Sequence, residues 1–74
     1  MKLSTFLKTI ERHERVKIIG LNVELEAIAD AHEFLTDWDT YSSKYKVISF
    51  YSDMIEKGDG YQLGIIVLVR RTEI

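Results

Sequence analysis

Two histidines, His13 and His32, are the first residues in this 74-residue chain whose type could carry chemistry. His13 lies in the charged run Glu11-Arg12-His13-Glu14-Arg15, and His32 stands beside Glu33. A zinc site needs three or four ligands, and neither histidine has a second His or a Cys at ligand spacing. Both therefore read as ordinary surface or boundary residues. The carboxylates of Asp37-Trp38-Asp39 and of the stretch from Asp53 to Asp59 lack the alternating oxygens and closing bidentate acid of a calcium loop. Ser4, Ser42, Ser43, Ser49 and Ser52 have no nucleophile elbow around them. The four glycines never gather into a phosphate-binding loop. Arg70-Arg71 could touch phosphate, yet a pair of arginines near the end of a strand reads first as solvated. An acid pair for glycosidase-type work needs a cleft, which a domain this small seldom holds. The expectation is a non-enzymatic chain with no catalytic residue, no metal and no cofactor.

Composition sets the frame for that expectation. Apolar residues make up 46% of the chain, which is ample for a core. There is no Cys, so neither disulfides nor thiolate metal sites can help a small core. Close packing or association must do so instead. The chain reads as one complete domain, residues 1–74. Leu3 to Ile10 is interrupted by Ser4, Thr5, Lys8 and Thr9 and does not form a secretory leader. The apolar run Ile65 to Val69 is too short to span a bilayer. Residence in the cytoplasm, away from membranes, is the expectation.

The elements that would position any site follow from periodicity. Leu3, Phe6, Leu7 and Ile10 form one helical stripe, with Ser4 or Thr5 able to cap its start. Arg15 to Ile19 reads as a strand, with Val16 and Ile18 sharing a face. Gly20-Leu21-Asn22 can turn, since Gly and Asn tolerate positive φ. Val23 to Ala27 then alternates, with Val23, Leu25 and Ala27 inward. A second helix would start at Asp30, where Asp30 and Glu33 make a D-x-x-E capping box and Ala31, Phe34, Leu35 and Trp38 supply the stripe. A single helix from Val23 to Asp37 is the competing reading, because ELEAIADAHEFL has high helix propensity. Tyr45 to Tyr51 is a strand rich in β-branched and aromatic residues. Ser52 to Gly60 reads as a long connection ending in the turn signal Gly58-Asp59-Gly60. Tyr61 to Arg70 is the last strand, apolar on both faces and so central. The expected fold is α+β, in the order α-β-β-α-β-β. It has a four-stranded antiparallel sheet with two short helices on one face.

Two surfaces stand out. Net charge is −2, but the charges are unevenly spread. Glu24, Glu26, Asp30, Glu33, Asp37 and Asp39 fall between Ile18 and Ser43, a stretch without Lys or Arg. With Trp38 and Tyr41 beside them, they read either as a solvated face or as a docking surface for a basic protein. The second surface is the sheet face away from the helices. If the helices cover Val47, Ser49, Ile65, Val67 and Val69, then Ile19, Ile48, Phe50, Ile66 and Leu68 face outward. That face could carry a homodimer, or a loop such as Asp53 to Lys57 could cover it.

The segments LSTFLKTIE, RVKIIG, KVISF and GYQLGIIVLV, with the acidic stretch between them, give a layout that resembles small accessory proteins encoded by phages and prophages of low-GC Gram-positive bacteria. The resemblance implies a role rather than a set of residues. Such proteins often bind and inhibit a host protein, anti-CRISPR proteins among them, and a CRISPR effector presents a basic nucleic-acid channel to an acidic surface. The leading expectation is thus an inhibitor docking on a basic host protein that itself binds nucleic acid. A dimeric nucleic-acid-binding regulator using Lys2, Lys8, Arg12, Arg15 and Lys17 is the second expectation. A phage structural or accessory subunit assembling through its sheet is the third.

Overall fold

The computed structural model describes residues 1–36 and 44–72. The chain runs α1 (Leu3–Thr9), β1 (Arg15–Gly20), β2 (Glu26–Asp30), α2 (Ala31–Thr36), β3 (Tyr45–Lys57) and β4 (Gly60–Arg71). The fold is α+β, in the expected order of elements. Four strands form one sheet in the spatial order β2-β1-β4-β3. Both helices pack on one face, over a core of Leu3, Phe6, Leu7, Val16, Ile18, Ala31, Phe34, Val67 and Val69. The helical stripe of α1 and the inward faces of β1 and β4 are therefore those the periodicity predicts. Among the described residues no helix is long and apolar enough to cross a membrane.

The sheet is mixed rather than antiparallel. The β1–β2 and β3–β4 pairs are antiparallel, but β1 runs parallel to β4, with Val16 opposite Ile65 and Ile18 opposite Val67. The cause is the crossover between β2 and β3. That connection carries the chain from one edge of the sheet to the other, so β3 runs in the same direction as β2. The tight β3–β4 hairpin then returns β4 into the gap beside β1, parallel to it.

Local boundaries shift for similarly physical reasons. Neither Ser4 nor Thr5 caps α1, because Lys2 stands at the cap position and its carbonyl accepts the Phe6 N–H at 3.1 Å. The β1–β2 connection is five residues long, closed by a 2.8 Å bond from Gly20 N–H to the Leu25 carbonyl. It needs no positive φ at Gly20 or Asn22. The strand predicted at Val23 thus begins at Glu26, and Leu25 and Ala27 keep their inward face. The Asp30–Glu33 capping box does not form. Asp30 is the last strand residue and its carboxylate faces Arg15, while the Ala31 and His32 N–H groups donate to the Glu14 and Arg12 carbonyls. The first turn of α2 is satisfied by the segment before β1, which pins it to the sheet.

The largest departure is at β3. The residues read as a long connection, Ser52 to Lys57, continue the strand, and the turn is only Gly58-Asp59. Gly58 has φ +59° and Asp59 a negative φ, the sign pattern of a type II′ turn whose twist suits a hairpin. The hairpin overruns β1, which pairs with β4 only as far as Ile65. Its distal half is a two-stranded ribbon, and the molecule measures 37 × 21 × 17 Å.

Candidate functional site

A bulge decides which residues the ribbon presents. Val47 pairs with Val69, but Ser49 pairs with Leu68, leaving Ile48 extra. One added residue reverses the faces of everything beyond it. Phe50, Ser52, Met54 and Glu56 therefore lie on the helix side, opposite Val67, Ile65, Leu63 and Tyr61. Phe50, expected on the open face, instead meets Phe6 of α1 at 5.0 Å between ring centroids. Ser49, expected under the helices, points to the helix-free face.

The helices are too short to cover the ribbon. Where α1 ends, a shallow cleft of about 510 Å³ opens, lined by Thr9, Ile10, Glu11, Arg12, Glu14 and Ile65. Beyond it the helix side of the hairpin is bare. Phe50 is 57% exposed, Met54 53%, Leu63 61% and Tyr61 69%. Of the eight large apolar or aromatic side chains exposed among the described residues, Ile48, Phe50, Tyr51, Met54, Tyr61 and Leu63 belong to this one hairpin. Scattered exposed apolar residues are normal, but a cluster on one element marks a contact surface.

The opposite face of the ribbon is closed against the sheet. Ile55, paired with Gln62 on the helix-free face, is only 2% exposed. It lies over Gly64, where a Cβ would sit 2.8 Å from Ile55 Cδ1 and would collide with the Arg15 carbonyl oxygen. Arg15 bridges the two parts, donating through Nε to the Glu56 carbonyl at 3.2 Å and through a terminal nitrogen to Asp30 at 3.3 Å. Lys57 Nζ reaches the same Asp30 oxygen at 3.9 Å. The tip end of the ribbon is thus tied back to β1 and β2 on this face while its other face stays open.

The four described acids of the stretch between Ile18 and Ser43 do not share one surface. Glu24 is exposed in the β1–β2 connection, and Glu33 is exposed on α2, at the other end of β2. Glu26 pairs with Lys17 at 3.4 Å, and Asp30 is held by Arg15 and Lys57. Asp37, Trp38, Asp39 and Tyr41 lie outside the described residues. Of the residues proposed for an open sheet face, Ile19 and Leu68 are half-buried there and Ile66 is 7% exposed. Ile48 occupies the bulge and is exposed. The segment Asp53 to Lys57 is strand rather than a covering loop, yet it supplies Ile55 to that face.

His13 and His32, apart in sequence, come together edge to face at 5.6 Å between ring centroids. The Arg12 carbonyl accepts the His32 N–H at 3.0 Å and lies 2.9 Å from Nδ1, a second hydrogen bond when that nitrogen carries the proton. No group of three or more ligating side chains capable of holding a metal ion occurs among the described residues. Sequence reasoning missed Met54, Tyr61 and Leu63 as site residues. Their signal was alternation on either side of Gly58-Asp59, which a two-residue hairpin turn converts into one apolar face. Comparison with known proteins returns no matching family model, curated protein or solved structure.

Proposed function

We propose that this chain is a non-enzymatic protein-binding module, and that it docks through the helix-side face of the β3–β4 ribbon. The carrying observation is the concentration of exposed Phe50, Met54, Tyr61 and Leu63 on one face of an element whose other face is tied down. Aromatic and methionine side chains are the types enriched at interface centres. The neighbouring cleft beside Ile65 can receive a side chain of the partner. An inhibitor of a host protein, the role implied by the resemblance to phage accessory proteins, is one form such a module takes. Glu26 and Asp30 already serve ion pairs and lie on the helix-free face, outside this docking surface.

Site-specific photocrosslinking in lysate of the source organism tests the proposal. A photoreactive residue placed at Met54 or Leu63 is expected to yield one discrete adduct with a second protein. The same group at Glu24, at the far end of the sheet, is expected to yield none. An adduct from Glu24 but not from Leu63 would restore the acidic surface as the docking site and overturn the ribbon. Adducts of the chain with itself alone would replace a foreign partner with a second copy.

A further inference from the structure

The helix-free face carries an uncompensated row of cations. The segment before α1 lies beside β3, with Lys2 opposite Lys46 and the Val47 N–H donating to the Met1 carbonyl at 2.8 Å. Lys46 in turn stands opposite Arg70. Side chains directly opposite one another share a face, so Lys2, Lys46 and Arg70 form one line across three neighbouring backbones, spaced by about 4.8 Å. All three are exposed, and none makes an ion pair among the described residues. Like charges in direct opposition oppose folding, and nothing among the described residues uses this triple. Beside it, the Asn22 side chain bonds both the N–H and the carbonyl of Arg71, at 2.8 and 3.2 Å, and so fixes the backbone at the end of β4.

We infer that this row binds the phosphates of a single-stranded nucleic acid. The choice of ligand rests on what lies further along the same face. Leu68 is half-buried beside the row, and Tyr51, paired with the buried Ile66, is 47% exposed. A cationic track beside an exposed ring is the combination that holds single strands, the charges following the backbone and the ring stacking a base. A duplex keeps its bases stacked and offers none to Tyr51. Among the described acids on this face, Glu26 is paired with Lys17 at 3.4 Å and Asp30 with Arg15 and Lys57, while Asp53 stands opposite Gly64, farther along the ribbon from the row. The net charge of −2 does not cancel the row, because exposed charges are screened beyond about 8 Å at physiological salt. The inference is independent of protein docking, which uses the other face of the sheet.

Fluorescence anisotropy with a labelled short oligothymidylate, titrated between about 50 and 200 mM salt, tests it. Three phosphate contacts predict a slope of log affinity against log salt of about −2. Lys2→Gln with Lys46→Gln and Arg70→Gln should flatten that slope, with circular dichroism confirming that the variant is folded. Tyr51→Ala should weaken binding about 5- to 100-fold and leave the slope unchanged. Lys8→Gln, on α1, should change neither. No binding at low salt, or a slope that survives the triple substitution, would overturn the inference. So would duplex DNA binding as tightly as the single strand, or binding to phosphatidylglycerol vesicles without binding to the oligonucleotide.

Discussion

Gly64 shows how one residue couples the ribbon to the sheet. Any side chain there meets the Arg15 carbonyl, which belongs to backbone and cannot swing away. Gly64→Ala should destabilise the fold by about 1–3 kcal/mol in chemical denaturation, through strain rather than lost contact. Asp30 is the matching polar anchor. Its side chain is 14% exposed and serves both Arg15 and Lys57, whereas the Glu26 side chain is 65% exposed against Lys17. Asp30→Ala should therefore cost about 1–3 kcal/mol, and Glu26→Ala no more than about 0.5 kcal/mol, in the same measurement. The cost of Asp30→Ala comes from leaving a guanidinium that is only 17% exposed without its carboxylate, with the Glu56 carbonyl as its remaining acceptor. The sequence placed Asp30 at a helix cap because D-x-x-E is a local pattern. A carboxylate also serves any cation that folding brings near, and Arg15 arrives from 15 residues away.

At the scale of elements, the hairpin is where sequence and structure part. Helix α1, strand β1 and the inward set Val67 and Val69 were legible because one apolar periodicity governs each. Strand β3 was legible only to Tyr51, because its apolar residues change phase. Tyr45 and Val47 face the core from odd positions, and Phe50 reaches the same helix side, against Phe6, from an even one. A single unbroken alternation cannot satisfy both, and the bulge at Ile48 reconciles them. Deleting Ile48 would force one half of the strand to the wrong face. It should cost more than about 2 kcal/mol, of the order of burying one Val. Lost dispersion in the Phe50 region of the amide NMR spectrum would locate the damage. The parallel β1–β4 pair was illegible for another reason. Strand direction depends on how the β2–β3 connection crosses the sheet, and no residue pattern in the strands encodes that. The cationic row offers a contrasting test. Lys46→Glu places an acid between Lys2 and Arg70, so it should raise stability by about 0.2–1 kcal/mol per new cross-strand pair. The same substitution should abolish oligonucleotide binding.

The whole molecule is a small four-stranded sheet, helix-covered at one end, with a bare ribbon carried past its core. Its two described surfaces of interest lie on opposite faces: apolar on the helix side of the ribbon, cationic on the helix-free side at the other end of β4. A side chain kept for binding should contribute little to folding, while one kept for packing should contribute to both. That distinction tests the central claim. Met54→Ser with Leu63→Ser should leave the unfolding free energy within about 0.5 kcal/mol of the parent, because both side chains are more than half exposed. The decisive measurement is photocrosslinking of this double variant from Tyr61, alongside its denaturation curve. The account predicts an unchanged denaturation midpoint and loss of the adduct seen from Tyr61 in the parent. An adduct that persists in the folded double variant would contradict it.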